Sequence, residues 1–438
     1  MQPAPWYYNL ISGAGLVVIC VLAWLSAGRR RRGVPWPTVA WGVGLQLVLG
    51  AFVFTLPAGR GFLLATNHLV AALLDSAQAG ISFLFGPLAL GPGQTGPGGV
   101  KSLGFILGIQ ALPTVVFFMA LAALLYQAGL LQRVVRFFSR IFMRTLGLSG
   151  AEALGVASTI FVGVETAGMV RPFLARMTRS ELFCLLTACM ATVASTVLGT
   201  YTLILDHIFP NIAGHLVSAS LISAPAAVVV AKLMEPEQDE PFTAGQKLDL
   251  ALGRHQGYLE AAINGSREGV QLLVGIAALL LSFLGLVALA DKILGWLGGL
   301  AGMPEISLKA ILGYAAWPFS LIMGVPWQDA LSVGRLVGER ALVTEFVAYQ
   351  DLAGLLAQGG LWYSRSALVA SYALCGFAHV ASVAIFVGGF GALMPGRMGE
   401  LSRLGFKALW AATLTTLMTG CVAGLFSHGG AGLLGLGG

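Results

Sequence analysis

Two carboxylates, Glu165 and Glu345, stand in runs of residues apolar enough to enter a bilayer, and they are the side chains best placed to do chemistry. A lipid-facing carboxylate at mid-membrane costs about 2.5–3.5 kcal/mol or more, so such a group faces protein, ligand or water. Either one could accept hydrogen bonds from the hydroxyls or amines of a substrate, or exchange a proton. An ion pair with a neighbour such as Arg171 or Arg340 is the structural alternative. His379 and Ser382 lie in another apolar run, CGFAHVAS. Their spacing of three allows contact, but without a third orienting group it falls short of a nucleophile–base pair. The hydroxyls of Thr159, Ser195 and Thr196 are oxygens of the kind that hold a hard cation beside backbone carbonyls, or that bond back to their own helix.

Enzyme chemistry is poorly served by the rest of the chain. The sequence contains no HExxH, GxSxG or GxxxxGK[ST] and no Gly-rich dinucleotide fingerprint between strand and helix. No Cys/His cluster offers a metal site, and the five cysteines, all in apolar runs, read as helix-packing residues. The chain is therefore expected not to be an enzyme and to carry no cofactor.

The elements that position these residues are set by composition. Of 438 residues, 57% are hydrophobic and 10% charged, with a mean hydropathy of +0.84. Soluble domains carry about a quarter charged residues, so this is an all-α polytopic membrane protein. The net charge of +6 reflects basic loops on the cytoplasmic side, not a nucleic-acid partner. Eight apolar segments are long enough to span, at about 10–27, 38–58, 104–127, 182–205, 212–234, 270–290, 366–387 and 406–426. The segment 62–86 is mixed and reads as something other than an ordinary span. Arg133, Arg136, Arg140 and Arg144 recur at helical spacing among apolar residues, as in a helix lying on the membrane surface. The polar stretch 235–267 reads as a cytoplasmic connector.

With the N-terminus outside, 18 of the 25 Lys and Arg residues fall on cytoplasmic segments, including the four arginines at 29–32. That bias sets the orientation, and eight spans return the C-terminus to the outside. In a bacterium the location is the cell inner membrane, with both termini periplasmic.

A repeat runs through the second part of the chain. EALGVA at 152–157 and DALSVG at 329–334 each precede a carboxylate in apolar surroundings, Glu165 or Glu345. ATVAS at 191–195 is then matched by AHVAS at 378–382. The charge layout sends the two units into the membrane from opposite sides, and inverted repeats of that kind place a site at the bilayer midplane between broken helices. The stretch TIFVGVETAGMVRP, 159–172, reads as a re-entrant segment, because its glycines and proline break the helix at membrane depth. Glu152 and Asp329, at the starts of the units, read as caps.

The chain resembles the concentrative nucleoside transporters in their bacterial form. The stretches that carry the likeness are ALPTVVFFMALAALLYQAG (111–129), SGAEALGVASTIFVG (149–163), MTRSELF (177–183), HLVSASLISAPAAVVVAKLMEPE (215–237), ILGYAAWPFSLIMGVPWQDAL (311–331), EFVAYQDL (345–352) and SYALCGFAHVASVAIFVGGFGALMP (371–395). The resemblance implies a homotrimer with a scaffold and a mobile transport domain, two re-entrant hairpins at about 150–175 and 327–352, and two broken helices. It divides the chain into scaffold helices 1–3 (1–130), an interfacial helix (131–148), a first hairpin with its repeat (149–234), a connector with scaffold helix 6 (235–300), and a second hairpin with its repeat (301–438). It puts Glu165, with Val164 and Thr166, on the base of a nucleoside, and Glu345, Phe377, His379 and Ser382 on the ribose. Thr159, Val162 and Thr196, with Ser195 beside them, match a sodium site.

Departures accompany the likeness. Where the family usually reads Gly-Gln-Thr-Glu-Ala-Pro, residues 163–168 read GVETAG, one residue shorter before the acid and without the Gln. His379 replaces an Asn, as do Thr344 and Thr159. The expected activity is elevator-type import of a nucleoside or nucleoside-like ribosyl compound, with Na+ or H+ as coupling ion. Two alternatives stand beside it: a carrier of a free base or modified sugar, and a non-transporting membrane sensor of the same fold.

Overall fold

The computed structural model describes residues 1–28, 33–163, 165–206, 208–246, 248, 257–300 and 307–427, with the side chain of Pro97 excepted. The arginines at 29–32, Lys247 and Arg254, which entered the charge bias, lie outside the described residues, as does Val164. All regular structure described is helical.

Three helices open the chain, α1 (Tyr7–Leu25), α2 (Trp36–Thr55) and α3 (Pro57–Phe85). A π-helical turn, Leu107–Ala111, leads through Pro113 into α4 (Thr114–Gln127), and α5 (Leu130–Leu146) carries the arginine series. Short helices α6 (Gly150–Thr159), α7 (Thr166–Met169) and α8 (Arg171–Leu174) form the first helix–break–helix unit. A helix broken at 192–194 follows as α9 (Arg179–Ala191) and α10 (Ser195–Leu205), then the continuous α11 (Ile212–Met234). The long α12 (Tyr258–Leu300) and α13 (Leu308–Ile322) separate this series from a second one. That second series has α14 (Trp327–Leu342) and α15 (Glu345–Ala357) around a two-residue break, then α16 (Ser364–Leu374) and α17 (Val380–Leu393) around a break at 375–379, and last α18 (Met398–Phe426). The order of paired short helices, broken helix and long helix thus occurs twice, as the sequence repeat predicts.

Local chemistry explains the boundaries. Thr178 caps α9 in a reciprocal box with Glu181, whose carboxylate takes the Thr178 N–H at 2.6 Å. Ser149 caps α6 and also donates to the Glu181 carboxylate, clamping the starts of α6 and α9 together. The second series repeats the clamp with other residues. Asp329, at the start of α14, accepts from Trp362 N (2.9 Å), Tyr363 N (3.1 Å) and Ser366 Oγ (2.6 Å), and so caps the neighbouring α16. Glu152 does not act as a cap. It forms a buried ion pair at 2.7 Å with Lys232 of α11.

Two sequence expectations change. Residues 57–85 form one 29-residue helix, and the segment 57–89 is long and apolar enough to cross a membrane, because its few polar groups are spread thinly around it. The span expected at 270–290 is a 43-residue helix that begins at Tyr258, inside the expected connector. Among the remaining contacts, α1 and α2 pack on α11 and α18, the long helices of the two series. The partner of α4 is α12. A Cβ at Gly265 would lie 2.8 Å from Met119 O, and one at Gly269 would lie 2.7 Å from the Val116 Cα. This small-xxx-small pair lets the two backbones meet closely where lipid gives no hydrophobic drive.

Candidate functional site

The site forms where the breaks of the two series cross. Gly376, in the second break, lies against the first, with its virtual Cβ 2.7 Å from the carbonyl of Ala191, so no larger residue fits there. Backbone groups freed by the two breaks of the first series are taken up by side chains. Thr192 Oγ1 donates to Thr159 O (2.9 Å), Ser195 Oγ to Phe161 O (2.5 Å), and Ser220 Oγ reaches both Ile160 O and Val193 O. Broken backbone at this depth survives because it is satisfied inside protein.

Between these breaks and the face of α12 lies a cleft with about 620 Å³ of empty space, counted out to its open mouth. Glu165, Thr196, Thr344, Glu345, Phe377, His379 and Ser382 all line it, so residues 217 positions apart in the chain share one cavity. Three buried oxygens on this lining have no hydrogen-bond partner, Glu165 Oε2, Thr196 Oγ1 and Thr344 Oγ1, and a fourth, Glu345 Oε2, has only a histidine nitrogen beside it. A buried polar atom left unmade costs roughly 1–3 kcal/mol. Together on one wall these oxygens mark a surface shaped to hydrogen-bond something that enters.

Glu345 is the best-positioned of them. Its Oε1 accepts from Tyr201 Oη at 2.6 Å, while Oε2 faces His379 Nε2 at 3.2 Å without closing an aligned hydrogen bond. His379 is itself held as the cap of α17, its Nδ1 accepting from Ser382 N at 3.2 Å. An imidazole that accepts at Nδ1 carries its proton at Nε2, toward the carboxylate. The Ser382 hydroxyl donates to the His379 carbonyl at 2.6 Å, away from the ring, so Ser382 and His379 are not a nucleophile and base. Arg340, fully buried, spends two bonds on Ala373 O and Thr416 Oγ1 and makes no ion pair with Glu345. Arg171 is exposed. Neither arginine forms an ion pair with either acid.

Other expected site residues are placed differently. The Thr166 hydroxyl is buried and turned back to Val162 O at 3.4 Å, off the cleft. Thr159 likewise bonds its own helix, at Val156 O (2.8 Å), and Ser195 is committed to Phe161 O. Of the expected sodium group, Thr196 alone presents an orphaned oxygen, and Val162 lines an adjoining cleft. The residues fit a hard cation in donor type, through hydroxyl and carbonyl oxygens, with Thr196 as the available side chain.

Sequence reading missed Tyr201 and the α12 wall of Leu272, Ile276 and Leu279. An isolated tyrosine in an apolar helix signals a hydroxyl that needs a buried partner, which is how Tyr201 could have been found. Nothing in α12 distinguishes its cleft-facing leucines from its lipid-facing ones.

Models of the Na+ dependent nucleoside transporter family match this chain over residues 14–88 (N-terminus) and 215–424 (C-terminus), and a nucleoside recognition model matches 108–207. The uncharacterized transporter YutK of Bacillus subtilis is 36% identical over 416 residues, covering 94% of this chain and 98% of YutK. Solute carrier family 28 member 3 of Mus musculus is 35% identical over 433 residues, covering 96% of this chain and 59% of the mouse protein, so the chain spans about three fifths of that relative's length. The structure of CNTnw in an inward-facing substrate-bound state superposes with a TM-score of 0.87 at 33% identity, covering 98% of this chain and 99% of CNTnw. A CNTnw double variant in an outward-facing state gives 0.86 at 32% identity, over 97% of this chain and 98% of that one. Three matched segments, near-complete coverage of a bacterial relative and a shared fold agree, and the chain belongs to the concentrative, Na+ dependent nucleoside transporter family.

Proposed function

We propose that this protein is a cation-coupled symporter that imports a nucleoside or nucleoside-like ribosyl compound. The observation that carries the reading is the row of four buried oxygens on one cleft, contributed by both series, three without a partner and Glu345 Oε2 with only His379 Nε2 beside it. Ribose hydroxyls are donors, and the Glu345 Oε2 acceptor with His379 Nε2 beside it suits a pair of adjacent hydroxyls. Phe377 and Phe386, with ring centroids 6.4 Å apart, give the sugar an apolar wall. Glu165, reached through the shortened GVETAG approach, is left to read the base as an acceptor alone. This favours bases that present amino or ring N–H donors.

Sodium is the coupling ion in this reading, with Thr196 among its ligands. The frame is formed by α3, α4 and α12, and the crossed breaks, with α1, α2, α11 and α18 packed around them, move as one body. That body carries Glu165 and Glu345 past the apolar wall of α12. The protein works as a homotrimer in the cell inner membrane. The low burial of α12 within one chain, 11% of its most apolar window, is consistent with a helix that meets lipid or a second copy.

Uptake of radiolabelled nucleosides into proteoliposomes, under a sodium gradient and separately under a proton gradient, tests the proposal. Saturable sodium-driven uptake is expected, and its absence for every nucleoside under both gradients overturns the reading. A second reading, proton coupling, is favoured by one observation, the 3.2 Å approach of His379 to Glu345, and uptake under the proton gradient alone would select it.

A further inference from the structure

Glu165 lines two cavities, not one. Behind the hairpin break lies a second cleft of about 850 Å³, counted to its open mouth, between the break and the α4–α12 seam. Its walls include Met119 and Tyr126 of α4, Val162 and Glu165 of the break, Thr196 of α10 and Glu268 of α12. Glu268 precedes Gly269, the residue at which α12 touches α4, and that contact sets the carboxylate at the edge of the seam. Glu165 faces the same cleft from the hairpin break. No Lys, Arg or His lines this cleft among the described residues. Two carboxyl groups therefore share a cavity that no basic side chain lines. Thr196, only 2% exposed, turns an unpartnered hydroxyl onto the same space.

We propose that this second cleft is a station for a monovalent cation in transit, held partly hydrated between the carboxylates of Glu165 and Glu268 and the Thr196 hydroxyl. The proposal rests on the symport reading above and adds a residue of α12 to the cation's route. Two carboxylates and a hydroxyl are oxygen donors suited to a hard cation. The cleft is roomy and open, so the remaining positions fall to water, as a site that must release its ion requires. The ion also links the two bodies, because Glu268 belongs to α12 and Glu165 to the hairpin break. With the cation present, the pair attracts across the seam; without it, the carboxylates push apart. Glu268 thus acts as a positioning residue for cation release and does not touch the nucleoside, since it is absent from the first cleft.

The test uses the full-length protein, with sodium replaced by choline at constant ionic strength. One measurement is the rise in melting temperature with sodium in detergent, which does not depend on transport. The other is the sodium concentration for half-maximal uridine uptake into proteoliposomes. Glu268→Gln is expected to raise the half-effective sodium concentration about fivefold in both. Glu268→Asp should stay near the parent, and Glu260→Gln, the same charge change away from the cleft, should have no effect. Unchanged sodium dependence in Glu268→Gln, or a parent protein whose melting ignores sodium, overturns the proposal. A sodium effect on melting that requires Glu268 supports it even if uridine is not taken up, an outcome that counts against the transport reading alone.

Discussion

The Nε2 of His379 lies 3.2 Å from the Glu345 carboxylate, and the two meet only because a cap and a helix start from separate breaks are brought face to face. His379 ends the break before α17, and Glu345 is the first residue of α15. Tyr201, from the other series, holds the second carboxylate oxygen at 2.6 Å. The acid is thus fixed on one side and presented on the other.

Replacing Glu345 by Gln removes the charge from the oxygen offered to the cleft while keeping its shape. A hydrogen bond to a charged acceptor contributes roughly 1.5–3 kcal/mol, so nucleoside affinity should fall about 10- to 100-fold. Isothermal titration or scintillation proximity binding in detergent measures this, and parental affinity in the variant would remove Glu345 from the binding surface.

His379→Asn tests what the imidazole contributes. An asparagine side chain caps a helix well and still donates an N–H toward Glu345. Sodium-driven uptake should survive in this variant with little change in substrate KM. Abolished uptake with intact binding would assign the imidazole a proton-carrying role.

Thr196→Val deletes the one orphaned hydroxyl that both clefts share. The sodium concentration for half-maximal uptake should rise about tenfold, while substrate KM at saturating sodium stays close to the parent. Equal sodium dependence in the variant and the parent would separate Thr196 from the cation.

Lys232→Met breaks the buried pair with Glu152, whose Nζ–Oε1 distance is 2.7 Å. An unpartnered carboxylate at 1% exposure should cost about 3–5 kcal/mol and lower the melting temperature sharply. Combining it with Glu152→Leu should restore most of the loss. A double variant no more stable than the single one would show that the pair is not the source.

Gly269→Leu pushes a side chain into the Val116 backbone at the α4–α12 seam. Overpacking there should destabilise the protein by about 1–3 kcal/mol, read as a lower melting temperature, whereas Gly275→Leu on the open side of α12 should be tolerated.

How much of this was legible beforehand depends on the physics of each element. The positions of α1, α2, α11 and the arginine-bearing α5 follow from apolar length and charge spacing, which act locally. α3 and the start of α12 do not follow from it, because a few polar residues dilute the apolar signal without stopping a helix. Glu165, Glu345, His379 and Ser382 stood out as polar groups where lipid would reject them, and the cleft does gather all four. Thr166, Thr159 and Ser195 stood out for the same reason, yet they satisfy nearby carbonyls, a choice made by backbone geometry that composition does not show.

By itself the sequence determined that this chain is a helical membrane protein, built on a repeat, with two acids that must be buried in protein or face a ligand. Those conclusions rest on transfer energies and on periodicity, which belong to residues and their near neighbours. The tertiary structure decided which acid is held by Tyr201 and His379, that Glu165 opens onto two clefts, and that α12 supplies both an apolar wall and Glu268. These are contacts between residues scores to hundreds of positions apart. They are fixed only when the breaks of the two series cross at Gly376 and the paired glycines draw α12 onto α4.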